Sequence, residues 1–152
     1  MNIKPAKTED FETVKNITVQ TINDIYPHYY PKGAVEFFLE HHNDKNIKND
    51  IEHNNVFLYY LPDGKAVGTI TIKDNEICRF FILPKYQGFG YGTALLNFTE
   101  NFIFKDYNKI ILDSSLPAKP IYLKKGYSSI ECHSIKTNYC DYLCYDIMIK
   151  NK

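Results

Sequence analysis

The chain contains no tryptophan, and its four cysteines (Cys78, Cys132, Cys140 and Cys144) form no CxxC pair. Cys140 and Cys144 can share a strand face, but their spacing fits no zinc pattern. His41, His42 and His53 lie in a polar stretch with no cysteine partners, so no metal site is expected. Neither sign of charge is in excess, with 18 basic and 18 acidic side chains. That balance, with both signs mixed along the chain, argues against a basic face for displacing counterions from nucleic acid and equally against a polybasic membrane anchor. No run approaches the roughly 18 apolar residues of a membrane span. The opening residues, MNIKPAKTEDF, lack the apolar core of a secretion signal. Free thiols in a reducing cytosol follow, so a cytoplasmic location is expected.

What the chain does have is an ordinary globular composition, 44% hydrophobic and 24% charged over 152 residues. Residues 1–152 are expected to form one domain, large enough to bury roughly two-thirds of its unfolded surface without a staple. The 13 tyrosines and 10 phenylalanines suit clefts with apolar walls and polar tips.

Asn2 to Ala6 reads as a short strand, and Thr8 as the N-cap of a first helix with Glu9 and Asp10 in its first turn. Phe11, Val14, Ile17, Ile22 and Ile25 give that helix an apolar face. Pro31 opens a second helix, with Val35, Phe38, Leu39 and His42 on one side. From His41 to Asn55 the chain is polar, with Ile47 and Ile51 as its only apolar anchors, and one more exposed turn or two of helix is expected. Val56–Leu61, Ala66–Lys73 and Glu76–Leu83 are β-rich runs joined by PDGK and DN turns, an antiparallel meander. A helix follows over Thr93–Phe104, then a strand over Lys109–Asp113 and a helix over Ala118–Lys125 with Gly126 as a left-handed cap. Two strands, near Tyr127–Ile135 and Tyr139–Ile149, end the chain.

The most informative segment is FFILPKYQGFGYGTALLNF, residues 80–98. A strand runs into QGFGYG and directly into a helix. Glycines at 88, 90 and 92 let backbone N–H groups turn inward while the helix brings its positive end to the same place. Such a loop can cradle a pyrophosphate, although a tight strand-to-helix turn needs no ligand. No Lys-Ser/Thr pair follows the last glycine, which removes the P-loop reading. A dinucleotide-binding loop would want an acid about twenty residues on, and Asp113 lies near that distance. The antiparallel meander ahead of the loop weighs against it.

QGFGYG, with Gln87, Gly90 and Gly92, resembles the Q/R-x-x-G-x-G/A loop of the GNAT superfamily of acetyl-CoA-dependent N-acetyltransferases. AKPIYLKKGY is similar to that family's A-x-x-x-Y-x-x-x-G-F/Y signature, some thirty residues further on. IKPAKTEDFETV looks like its opening strand and helix, and FILP like the strand ahead of the loop. The resemblance implies a mixed α/β fold, a mostly antiparallel splayed sheet of six to seven strands flanked by about four helices. It implies acetyl-CoA as cosubstrate, lying between the fourth and fifth strands. The pantetheine would pair with main chain near Ile82 and Leu83. Gln87, Gly88, Phe89, Gly90, Tyr91, Gly92 and Thr93 would hold the pyrophosphate, with Ser115 where many members place an asparagine. Phe89 stands where a basic residue is common, which leaves the loop to its amides.

Acyl transfer to an amine needs a proton removed from the ammonium, a donor for the oxyanion near Ile82 or Leu83, and an acid for the departing thiolate. Tyr122, four residues before Gly126, matches the family's acid. Glu76, eleven residues before Gln87, resembles the base of the histone-acetylating branch. Unbroken alternation puts Glu76, Cys78, Phe80 and Ile82 on one face. Cys78 itself reads as a small buried hydrophobe rather than an acyl carrier. The segment Ile25–Pro31 would wall the acceptor side. Its Tyr26, Tyr29 and Tyr30 suit a small-molecule primary amine, although they could equally pack the helices. A peptide N-terminus or lysine is the alternative acceptor, and a non-catalytic acyl-CoA sensor is the alternative from another class. The expected partners are therefore a small amine, with no nucleic acid and no membrane; a homodimer is compatible with this reading.

Overall fold

The computed structural model describes residues 2–152. The β-rich runs pair into one seven-stranded sheet of order β1-β2-β3-β4-β5-β7-β6. Its strands are β1 (Ile3–Pro5), β2 (Val56–Tyr60), β3 (Ala66–Lys73), β4 (Glu76–Ile82), β5 (Lys109–Ser115), β6 (Ser128–Lys136) and β7 (Tyr142–Asn151). Every neighbouring pair is antiparallel except β4 and β5. Those two run parallel because α4 (Tyr91–Ile103) carries the chain across between them.

Helices cover both faces. Val14 and Ile17 of α1 (Phe11–Ile25), Ala34 of α2 (Lys32–His41) and Ile47 of α3 (Asp44–Glu52) pack on Leu58, Phe81 and Leu143. On the other face, Leu95 and Leu96 of α4 and Tyr122 of α5 (Lys119–Lys124) pack on Ile70, Ile110, Leu112 and Met148. The expected splayed mixed sheet with flanking helices is what forms.

Several local expectations change. Thr8 does not cap α1 with its side chain; residues 8–10 form a 3-10 turn, and the Asp10 carboxylate accepts the Lys7 N–H at 2.8 Å. The strand before the last one starts at Ser128, and the last starts at Tyr142 rather than Tyr139. Between them Cys140 takes a left-handed φ of 60°, and Thr137 N–H bonds Asp141 O at 2.8 Å to close the turn.

The largest change is α3, where one or two exposed turns were expected. Asn43 caps it by accepting the Asn46 N–H at 2.9 Å, and Ile47 and Ile51 are buried beneath it. Asp50, also buried, explains the helix. The chain's only arginine, Arg79 on β4, donates to Asp50 at 3.1 Å and to Thr71 Oγ1 at 2.7 Å. Lys73 pairs with the other carboxylate oxygen at 2.7 Å. The carboxylate is thus desolvated between two cations, and α3 is pinned to the sheet.

β4 also carries a bulge. Register with β3 runs Gly68–Ile82 through Thr71–Arg79, then shifts to Ile72–Ile77 and Lys73–Glu76, which leaves Cys78 as the extra residue. Alternation therefore breaks at Cys78. Ile77, Phe80 and Ile82 face α4, whereas Arg79 and Phe81 face α1–α3. Glu76 does not share a face with Phe80 and Ile82; it stands opposite Lys73, exposed at the strand's start.

Removing one member of a buried ion pair strands the other charge, a loss of about 3–5 kcal/mol. Asp50→Asn is expected to lose stability of that order in equilibrium urea unfolding. A loss near zero would show that α3 is held by Ile47 and Ile51 alone.

Candidate active site

β4 and β5 share only two ladder pairs, Glu76–Ile111 and Ile77–Leu112. Above them the strands part. On the other side of β4, Leu83 N–H bonds Val67 O at 2.9 Å. The antiparallel register then directs the amides of Arg79 and Phe81 toward β3, and those of Phe80 and Ile82 into the gap. Ile82 N–H is the donor facing the opening. Leu83 is not available for the role expected of it: its N–H is taken by Val67, its carbonyl accepts the Tyr86 N–H at 2.8 Å, and its side chain is in the core.

At the top of the gap the Gln87 amide folds back and donates to Ile82 O at 2.8 Å, tying the glycine loop to the strand. Gly88 and Gly90 have φ of 81° and 86°, a conformation that costs a side-chain-bearing residue about 1–2 kcal/mol. Gly90 caps α4, whose first main-chain bond, Ala94 N–H to Gly90 O, leaves the amides of Tyr91, Gly92 and Thr93 without helical acceptors. Gly92 sits close enough to the strand that an added Cβ would lie 3.5 Å from Ile82 Cγ1. Phe89 turns its ring outward and Tyr91 packs its ring toward Tyr59 at 5.3 Å, so their main chains are what the loop offers a ligand. The arrangement is a ring of N–H donors on a helix N-terminus, suited to a diphosphate.

A cavity of about 940 Å³ runs from this loop through the gap to the opposite face of the sheet. Gly88, Gly90, Thr93, Ala118, Tyr122 and Lys125 line its α4–α5 end. Lys125 could not be singled out from sequence, where it is one of many lysines; its ammonium bonds Asn97 Oδ1 at 3.2 Å beside the loop. Tyr26, Tyr29, Phe37, Phe38, His41 and Tyr145 line the other end.

Tyr122 is 5% exposed, between the rings of Phe80 and Tyr127. Burial raises its pKa, so the phenol keeps its proton. Tyr26 is buried and donates to Ser115 Oγ at 3.2 Å, so Ser115 is engaged from the acceptor side. Tyr29 is exposed and lines the cavity. Tyr30 does not line it: its hydroxyl donates to Cys144 O at 2.9 Å and accepts the Leu116 N–H at 2.7 Å, bracing β5 against β7. Burial pushes the Cys78 thiol up to about 12, which leaves it protonated and a poor nucleophile. Burial, and then the neighbouring Arg79, hold His42 well below the usual imidazole range, so it is neutral.

Residues 25–146 match the family described as "Acetyltransferase (GNAT) domain". The chain belongs to that family and is an acyltransferase that uses acetyl-CoA as cosubstrate. Its fold is similar to that of a GCN5-related N-acetyltransferase from Rhodopseudomonas palustris, with TM-score 0.88 and 20% identity over 99% of this chain and 94% of that one. It is similar to the paiA N-acetyltransferase of Thermoplasma acidophilum in complex with coenzyme A, with TM-score 0.76 and 20% identity over 99% and 98%. Naa50 of Arabidopsis thaliana, in complex with the bisubstrate analogue CoA-Ac-MVNAL, matches with TM-score 0.68 and 20% identity over 99% and 97%. No curated protein matches the chain.

Gly90→Ala forces a Cβ into left-handed backbone at the cap of α4. The expected outcome is a loss of about 1–2 kcal/mol in stability together with weaker coenzyme A binding in calorimetry. Unchanged affinity would mean that the loop's shape is not what holds the diphosphate.

Proposed function

We propose that this acetyltransferase moves the acetyl group to the primary amine of a small molecule, by direct attack in a ternary complex. The observation that carries the reading is a single cavity with two chemically different ends. One end is a ring of N–H groups, the other an aromatic enclosure, and they meet between β4 and β5.

The acceptor end is narrowed by the β6–β7 hairpin. Asp141 accepts the Gly33 N–H at 2.9 Å and the Thr137 hydroxyl at 2.5 Å, fastening the hairpin to the start of α2. A Cβ at residue 33 would collide with Thr137 Oγ1 and Asp141, so this closure depends on glycine. Such an enclosure favours a compact amine over an extended peptide, and Tyr29, Phe37 and Tyr145 offer ring faces to its apolar or cationic part.

In this reading the amine attacks the thioester carbonyl from the aromatic side. The Ile82 N–H donates to the oxyanion, and Tyr122 gives its proton to the departing thiolate. Desolvation suits Tyr122 to that work: its raised pKa keeps the phenol protonated across the working pH range, and the same apolar surroundings make a bare thiolate more basic.

Acetyl-CoA titration by calorimetry, followed by coenzyme A release across polyamines, amino acids, aminoglycosides and short peptides, tests the whole reading. Turnover with peptides alone would move the acceptor class, and binding without turnover would favour an acyl-CoA sensor. With a small acceptor in hand, Tyr29→Ala is expected to raise its KM several-fold. Tyr122→Phe is expected to lower kcat by about 10²–10⁴-fold with little change in KM for acetyl-CoA. A variant that keeps its kcat would leave Tyr122 a packing residue.

A further inference from the structure

We propose that Asp113 is the group that holds the acceptor's ammonium and receives its proton. This rests on the amine-acylating reading above. The last ladder pair between β4 and β5 is Ile77–Leu112, so Asp113 and the bulged Cys78 are the next positions on the two diverging strands. That is the apex of the gap, where an acyl group reaching down between the strands would stop.

Alternation on β5 gives the side chain its direction. Ile110 and Leu112 are buried in the core beneath α4, so Ile111, Asp113 and Ser115 point to the opposite face. Ser115 confirms it by meeting Tyr26 at the end of α1. Asp113 accordingly lines the cavity at its acceptor end, with Tyr29, Phe37 and Tyr145 as ring faces for the rest of a cation. Among the described residues no cation pairs with its carboxylate. Glu76 also lines the cavity, but the bulge sets it opposite Lys73 at the open start of β4, two ladder positions below the apex.

The groups that act on Asp113 are His41 from α2, His133 from β6 and Tyr145 from β7, while Lys73 from β3 and Glu76, Cys78 and Arg79 from β4 line the same cavity. Partial desolvation raises its pKa, and the two imidazoles pull the other way. A carboxylate raised in this way is a better match for an ammonium proton than a fully solvated one.

The protons balance as follows. Asp113 takes one proton from R–NH3+ and passes it to solvent. The nitrogen lone pair forms the C–N bond, and the C–S bond breaks as Tyr122 protonates the thiolate. The second nitrogen proton, lost as the amide forms, restores the Tyr122 phenol through water in the cavity. One proton leaves per turnover.

The test compares wild type with Asp113→Asn, Asp113→Glu and Glu76→Gln, using kcat/KM against pH for an alkylamine. A second acceptor, a hydrazide that is already unprotonated at neutral pH, needs no base. Asp113→Asn is expected to lose about 100-fold or more on the alkylamine together with its acidic limb, and to stay within several-fold of wild type on the hydrazide. It should bind acetyl-CoA as before, and Asp113→Glu should regain part of the rate and an acidic limb. The proposal is overturned if the acidic limb survives in Asp113→Asn, if both acceptors fall equally, or if Glu76→Gln is the variant that loses the limb. Wild-type protein that acylates no amine would instead remove the reading on which the proposal rests.

Discussion

Two pairs of residues, Glu76–Ile111 and Ile77–Leu112, hold the two halves of the sheet together as parallel strands. Everything functional follows from how short that ladder is. A full-length parallel pairing would bury the amides of Phe80 and Ile82 in strand-to-strand bonds and leave no passage through the sheet. Stopping after two pairs exposes a line of main-chain groups at the centre of the protein, a position where unpaired N–H and C=O groups are costly. The surroundings answer part of that cost. Gln87 covers the Ile82 carbonyl, and Tyr30 takes the Leu116 amide. What is left facing the gap is a strand edge, which an extended, amide-bearing ligand can complete.

The hydrophobic pattern made the sheet, its meander and the position of the loop legible, because those features depend on local periodicity and on glycine. Gln87, Gly90, Gly92 and Tyr122 could be named for the same reason: each occupies a fixed place in a short motif. The burial of α3 was not legible, since seven of its nine residues are polar or charged and its fastening to the sheet depends on a salt bridge to Arg79, 29 residues away. The face of Glu76 was not legible either. A bulge inserts one residue into a ladder without any change in composition, so strand parity read from sequence fails at Cys78. Asp113 suffered from a different blindness. In the sequence it is the acid at the end of a short strand, and only the opening of the sheet beside it shows that it faces a cavity. Tyr30 was misjudged because an aromatic run does not say which ring points inward.

The electrostatics of the two faces differ as their work does. On the α4–α5 side the attraction for anions comes from backbone dipoles, backed by Lys125 near the mouth. On the α1–α3 side, the buried Arg79 is neutralised by Asp50, while its residual field helps keep His42 uncharged. The aromatic end of the cavity is therefore lined by a neutral imidazole, a protonated thiol and ring faces, with the carboxylates of Asp113 and Glu76 as its negative groups and Lys73 and the paired Arg79 as its cations. Lys73 stands beside Glu76, whereas no ion pair engages Asp113 among the described residues.

The β6–β7 hairpin is fastened at two points, Asp141 to the first turn of α2 and the Tyr30 hydroxyl to the Cys144 carbonyl. Both fastenings lie at the turn and the start of β7, while β6 is the outer edge of the sheet and is exposed along most of its length. β6 is carried by β7 along its whole length, and β7 in turn by β5, so the hairpin's tip beyond Tyr145 is the part held only by these moorings. The width of the cavity's aromatic end is thus set where that tip is moored, so that the range of molecules admitted can drift through changes at Gly33, Asp141 or Tyr30 while the glycine loop and Tyr122 stay untouched.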